Sequence, residues 1–166
     1  MLCPVCHYDN FEGEDTCANC GADLANADTP QPALDYHDTV LGEHLDSLGI
    51  GSPATVDPAT AVADAIRQMH AAGVDCLLVV EGGQLVGIFT DRDAVVKATD
   101  KRLGMYKVRD FMTPDPVVLR HDDTLAVAIH KMAVGEFRHI PIVEDGRPIG
   151  VVAAADVFRH LVHSLG

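Results

Sequence analysis

Between Pro53 and Leu161 the apolar positions fall into two blocks with the same internal order of spacings. The first block opens on a short apolar stretch, Ala54 to Val56, and continues through Ala59 to Ala72, where Ala65, Ile66 and Met69 recur at core spacing; a strand and then a helix are predicted. Leu77 to Val80 and Leu85 to Phe89 then flank a Glu-Gly-Gly turn, which predicts a β-hairpin, and a further helix follows Asp91. The second block repeats the order: strand Val117 to Leu119, helix Thr124 to Val134, hairpin strands Ile140 to Val143 and Ile149 to Val152 around Glu-Asp-Gly, and a helix after Ala155. Upstream, Val40, Leu41, Leu45 and Leu48 lie near helical spacing, predicting a short amphipathic helix over Thr39 to Leu48 that docks on the repeated blocks.

Sliding the chain by 63 residues aligns positions 50–99 with 113–162 without a gap, and ten identities fall in register, among them Met69/Met132, Gly87/Gly150 and Asp93/Asp156. Leu45 and Leu48 align with Val108 and Phe111, so the leading helix is duplicated too. One β-α-β-β-α unit of about 55 residues is marginal alone, so two are expected to pack around a shared core with approximate two-fold symmetry. The expected fold class is α/β. The expected domains are a small cysteine-rich segment at 1–24, a linker at 25–38 marked by Pro30 and Pro32, and the two repeats at 39–103 and 104–166.

Composition sharpens this picture in two places. Hydrophobic residues make up 48% of the chain with 5% aromatic and no Trp, so the core must be built from Val, Leu, Ile and Ala. The formal charge is −13, and no Lys or Arg precedes Arg67. Phosphate backbones would repel that N-terminal part, which argues against nucleic acid as a partner. No run of 18 apolar residues occurs and the opening residues lack signal-peptide character, so no membrane association and a cytoplasmic location are expected.

Cys3-Pro4-Val5-Cys6 and Cys17-Ala18-Asn19-Cys20 are two CxxC pairs separated by ten residues. Four thiolates at that spacing can close a tetrahedron around Zn²⁺, leaving no open position for water, so such a site is structural rather than catalytic. Iron also suits tetrahedral sulfur, and two disulfides or free thiols are the competing reading. The segment is similar to zinc ribbons and rubredoxin-like knuckles. His7 is expected to be a bystander, and Cys76 a small core residue.

Gly87-Ile88-Phe89-Thr90-Asp91-Arg92-Asp93 and its counterpart Gly150-Val151-Val152-Ala153-Ala154-Ala155-Asp156 close the two hairpins, and with the order of elements they resemble CBS domains over about residues 45–163. A tandem pair of this family implies a cleft for an adenine nucleotide or adenosylmethionine. The implied ligand residues are Ile88, Thr90, Arg92 and Asp93 in the first copy and Val151 and Asp156 in the second. Physical chemistry supports several of them: a hydroxyl and free amides at a helix start can meet a phosphate, and an ionised Asp offers two acceptor oxygens to paired ribose hydroxyls. The alternative for Asp93 and Asp156 is that they are first-turn acids stabilising the helix dipole.

The family also places phosphate contacts just before the first hairpin strand, where Arg138 and His139 stand in the second copy but Asp75 and Cys76 in the first. The resemblance also implies that the first strand of each copy, at Ala54 and Val117, grips through its main chain the adenine bound by the other copy's motif. Ala153 departs from the Ser or Thr the family prefers, so the two copies are expected to be inequivalent.

The resulting expectation is a non-catalytic homodimeric regulator that senses an adenosine-containing ligand by conformational change. The rival is an adaptor in which the ribbon meets a protein or nucleic acid and the repeats serve only as a dimerisation scaffold. Enzyme signatures such as a Walker A loop or GxSxG elbow are missing. Gly49-Ile50-Gly51-Ser52-Pro53-Ala54 fits a dinucleotide fingerprint in spelling only, since no strand is predicted before it and no helix directly after it.

Overall fold

The structure is a computed structural model and describes residues 2–3, 5–11, 14–24, 40–97 and 102–165. The linker expected at 25–38 lies outside the described residues. The elements are 3₁₀ turns at Val40–Gly42 and Leu45–Leu48, then β1 (Thr55–Val56), α1 (Val62–Ala72), β2 (Cys76–Glu81), β3 (Gln84–Thr90) and α2 (Asp91–Lys97). Next come α3 (Val108–Phe111), β4 (Thr113–Pro114), α4 (Leu125–Gly135), β5 (His139–Glu144), β6 (Arg147–Ala153) and α5 (Ala154–Leu165). Adding 63 to the bounds of α1, β2 and β3 returns those of α4, β5 and β6, so the sequence repeat is also a structural one. The counterpart of β1 is reduced to a single bridge at Leu119.

The chain divides into two compact units. One comprises 51–118 and 141–151. Its four-stranded sheet runs β1-β2-β3-β4, with β1 parallel to β2 and the other pairings antiparallel. Alternate positions of β2 and β3 point Leu77, Val79 and Phe89 toward Val62, Ala65 and Met69 of α1, and these side chains form a buried apolar core. On the opposite face Cys76, Leu78 and Ile88 are buried with Leu85 and Val151 against them. Gly73 caps α1 at φ 65°, in the left-handed region that glycine enters without strain.

The other unit comprises 1–50, 119–140 and 152–166. Here the leading segment of the first copy lies on the helix of the second. Leu125 N donates to Glu43 O at 2.9 Å, Leu45 N to Asp123 O at 3.2 Å, and His44 forms a bridge with Thr124. The equivalent exchange occurs in the first-described unit, where Val62 N donates to Tyr106 O at 3.0 Å and Ala61 bridges Lys107. Each leading segment therefore serves the other copy's helix.

The expectation of one amphipathic helix over Thr39 to Leu48 is corrected: the described part is two 3₁₀ turns. Its backbone is claimed elsewhere, because Glu43 and Leu45 are hydrogen-bonded to the entry of α4 and His44 is extended at φ −73°, ψ 156°, while Gly49 ends the second turn at φ 62°. A helical Glu43 carbonyl could not be shared in this way.

Candidate functional sites

At the junction of β3 and α2, Thr90 and Asp93 form a closed set of hydrogen bonds. Asp93 Oδ2 accepts from Thr90 N at 3.0 Å and from Thr90 Oγ1 at 2.9 Å, while Asp93 N donates to Thr90 Oγ1 at 3.3 Å. Asp93 Oδ1 is paired with Lys97 Nζ at 3.2 Å, one turn along the helix. This is a reciprocal cap of the kind that satisfies the free amides of a helix start. The carboxylate keeps acceptor capacity beyond these bonds, since an ionised Asp has about four lone-pair directions. Arg92 is exposed, and its amide donates to Asp91 Oδ1 at 2.7 Å.

The second copy keeps the carboxylate and loses the hydroxyl. Asp156 Oδ2 accepts from Ala153 N at 3.3 Å, and Oδ1 is paired with Arg159 at 3.0 Å. Arg138 lies beside this turn through its main chain, Ala154 N donating to Arg138 O at 2.8 Å; its side chain is exposed and that of His139 half-buried. The equivalent bond in the first copy joins Asp91 N to Asp75 O at 2.9 Å, so a carboxylate residue stands where the second copy has a cation.

Of the remaining expected residues, Ile88 is 7% exposed and belongs to the Cys76, Leu78 cluster, against which Val151 packs. Ala54 O is taken by Leu78 N at 2.9 Å, and Val117 is exposed. Gly87 has a role that its motif alone did not show. A Cβ there would meet Thr113 O at 3.0 Å and Met112 Sδ at 2.5 Å, so the close approach it permits is that of β4, paired with β3 at Gly87↔Pro114.

The four N-terminal cysteines converge. Their sulfurs lie within 4.8 Å of one another, with Cys3 to Cys20 at 3.6 Å and Cys6 to Cys17 at 3.5 Å. A tetrahedron with metal–sulfur bonds of about 2.3 Å has edges of about 3.8 Å, whereas a disulfide needs about 2.05 Å, so the donor set fits a tetrahedral metal and the cysteines are not cross-linked. Two equivalent turns build the site: Cys3 N donates to Tyr8 O and His7 N to Cys3 O, both at 2.9 Å, as Cys17 N does to Ala22 O and Gly21 N to Cys17 O, both at 2.8 Å. His7 at φ 56° occupies the left-handed position that Gly21 holds at φ 72°, and it is not part of the sulfur cluster.

The thiols differ electrostatically. Burial alone would raise Cys17, but the backbone amides of Cys20 and Asn19, then the Asn10 amide and the Cys6 thiol, outweigh it and hold Cys17 down to about 6. Burial dominates at Cys3 and Cys20 and pushes both up. Cys76, 5% exposed, is pushed up to about 12 by burial and then by the charges of Asp75 and Asp91.

The CBS domain family matches residues 50–98 and 108–163, more than half of the chain. The chain belongs to the CBS-domain family. Among curated relatives, the CBS domain-containing protein CBSCBSPB3 of Arabidopsis thaliana is 32% identical over 158 residues, which cover 93% of this chain and 28% of that protein. The chain spans between about a fifth and a little over a quarter of such plant relatives. Among solved structures, a CBS-domain-containing protein from Agrobacterium tumefaciens is 28% identical with a TM-score of 0.65, covering 70% of this chain and 98% of that one. CBSX2 in complex with AMP is 27% identical with a TM-score of 0.61, covering 72% and 98%; CBSX2 is a CBS-pair protein from Arabidopsis thaliana. The fold is therefore the mixed α/β fold of CBS-pair structures, present here as a tandem pair. Among the described residues no helix is long and apolar enough to cross a membrane.

Proposed function

We propose that the protein is a non-catalytic regulatory module that binds an adenosine-containing ligand, an adenine nucleotide or adenosylmethionine, through its tandem CBS repeats. The observation that carries this is the duplicated carboxylate at the β3–α2 and β6–α5 junctions: Asp93 and Asp156 have the same backbone partners 63 residues apart, on a chain 27% identical to a protein crystallised with AMP. Thr90, Arg92 and Ile88 belong to the first copy's motif and Arg138, His139 and Val151 to the second's, while the main chains of Ala54 and Val117 each grip the adenine held by the other copy's motif. Binding regulates by shifting a conformational equilibrium in proportion to the ligand's preference for one state. Thermal-shift screening of AMP, ADP, ATP and adenosylmethionine tests it, since a ligand at 100 times its dissociation constant stabilises by about 2.7 kcal/mol. A panel without any shift overturns the proposal.

The four cysteines are assigned to a structural zinc, with iron as the other metal the donor set accepts. When bound, it supplies cross-linking of two turns that otherwise bury little beyond Asn10, Ala22 and Leu24. Val95 and Phe158 occupy equivalent positions on α2 and α5 and are 76% and 69% exposed, which supports homodimerisation through these helices. A second reading, an adaptor acting through the N-terminal segment, is favoured by Leu2 and Phe11, 64% and 83% exposed. Nucleotide binding by the chain lacking residues 1–28 separates the two, because a regulator still binds nucleotide through its repeats, whereas an adaptor's repeats serve only as a scaffold.

A further inference from the structure

The cysteine-rich segment shares a compact unit with α4, the loop after it and the Ala153–Asp156 turn. It approaches α4 at Gly21, the residue after Cys20: a Cβ on Gly21 would stand 3.3 Å from His130 Nε2 and 3.8 Å from His130 Cδ2. His130 Nε2 is buried at this contact and has no hydrogen-bond partner among the described residues. A buried polar nitrogen without a partner costs of order 1–3 kcal/mol, so its place against the cysteine turn calls for an explanation. The turn against it is closed by Gly21 N donating to Cys17 O at 2.8 Å, and Cys17 and Cys20 on either side of that turn both belong to the four-sulfur cluster.

Eight residues beyond His130 along the chain is Arg138, whose carbonyl binds the start of α5 next to Asp156. The entry of α4 is held by Glu43 O, and Glu43 also reaches α5, its Oε2 accepting from His160 Nε2 at 2.9 Å. Thus α4 is clamped at its start, touched in the middle by the cysteine turn, and ends beside the basic pair assigned to the second ligand site.

Building on the nucleotide reading above, we infer that metal loading of the four-cysteine centre regulates nucleotide binding at the second junction, where Arg138 serves the phosphates and Asp156 the ribose, with the Gly21–His130 contact as the link. A loaded centre fixes the Gly21 turn against His130 and holds α4 in register. Loss of the metal releases the turn, and the Arg138–His139 segment loses its support. Reciprocity requires that a phosphorylated ligand on this site raise metal affinity by the same factor.

The test uses the full chain, zinc-loaded or stripped with chelator under reducing conditions, and its His130→Ala variant. Hydrogen exchange over residues 125–140 is expected to be slower in the loaded wild type than in the stripped one, and ATP, measured by calorimetry, to bind at least about fivefold more tightly to the loaded form. In His130→Ala the metal content is expected to be unchanged and both differences lost. Exchange in α4 that is indifferent to metal, or a metal-dependent difference that survives in His130→Ala, overturns the coupling. ATP binding with no exchange response would sink the coupling and leave the nucleotide reading standing; an exchange response without ATP binding would sink the nucleotide reading and the regulation built on it, leaving only a metal-dependent contact with α4.

Discussion

Thr90 and Asp93 cap one helix turn from both ends of a three-residue step: the Thr90 amide and hydroxyl both donate to Asp93 Oδ2, at 3.0 and 2.9 Å, and the Asp93 amide donates back to the hydroxyl. The acid at this position thus has a structural duty whether or not a ribose is present. In the second copy Ala153 leaves Asp156 with a single amide donor at 3.3 Å on that side.

Removing the two acids should therefore have unequal consequences for stability. Asp93→Ala loses a reciprocal cap and the Lys97 pair, costing about 1–2 kcal/mol, and the melting temperature should fall by a few degrees. Asp156→Ala should cost less, because only one long backbone bond and a half-exposed Arg159 pair are lost. Calorimetric melting of the two variants without ligand checks the order; an equal loss would mean that the Thr90 hydroxyl contributes nothing.

The repeat is legible in the sequence because its signals are local: Met69 and Met132, the Gly-centred turns, and the identical order of apolar spacings fix α1, α4 and both hairpins to within three residues at each end. The segment before the first repeat misleads because its partners are remote. His44 Nδ1 meets Asp122 O at 3.0 Å across 78 residues of sequence, and no local periodicity records that the backbone of Glu43 is spent on the entry of α4. Strand β4 escapes detection for the same reason, as two residues carry no pattern. Its trace is Gly87, an invitation to close approach whose guest cannot be named from spacing. For the four-cysteine cluster the CxxC pairs suffice to bring the sulfurs together, whereas the contact of Gly21 with His130 has no signal at all.

Gly87→Ala should destabilise the four-stranded sheet by about 1–3 kcal/mol. The new methyl meets a backbone oxygen, Thr113 O, at 3.0 Å, and that atom cannot move without unzipping β4, although Met112 can rotate away. Denaturant titration with an unchanged m-value should report a lower midpoint. Gly83→Ala is the control for local strain without a neighbour, since Gly83 has φ +81° and open space around it.

The thiols should separate by pH and by reactivity. In the metal-free chain Cys17 is held down to about 6, below the ordinary thiol value, so the stability it contributes is fully present above the ordinary value near 9 and is lost as the pH falls through about 6. Zinc binding needs thiolates and protons compete for all four, so acidification should release the metal, measured with a chromogenic chelator. Cys76 shifts the other way, to about 12, and should resist alkylation at pH 8 in the folded protein while reacting after unfolding. Rapid labelling of Cys76 in the native state would contradict its burial.

The two junctions should also differ in the ligand they prefer. The first offers a hydroxyl and an acid, but its phosphate side carries Asp75, exposed and bonded through its carbonyl to the start of α2. The second lacks the hydroxyl but places Arg138 at the equivalent point. A hydrogen bond to a charged group contributes about 1.5–3 kcal/mol against about 1 for a neutral one, so Arg138 should outweigh the absent hydroxyl as phosphates are added. Titration calorimetry with AMP, ATP and adenosylmethionine on Asp93→Ala and Asp156→Ala is expected to show ATP binding weakened tenfold or more by Asp156→Ala and little changed by Asp93→Ala, with the opposite order for adenosylmethionine. Arg138→Gln should remove most of the preference for ATP over AMP while leaving adenosylmethionine unaffected. If Asp93→Ala abolishes ATP binding and Asp156→Ala leaves it intact, the hydroxyl of Thr90 outweighs the charge of Arg138.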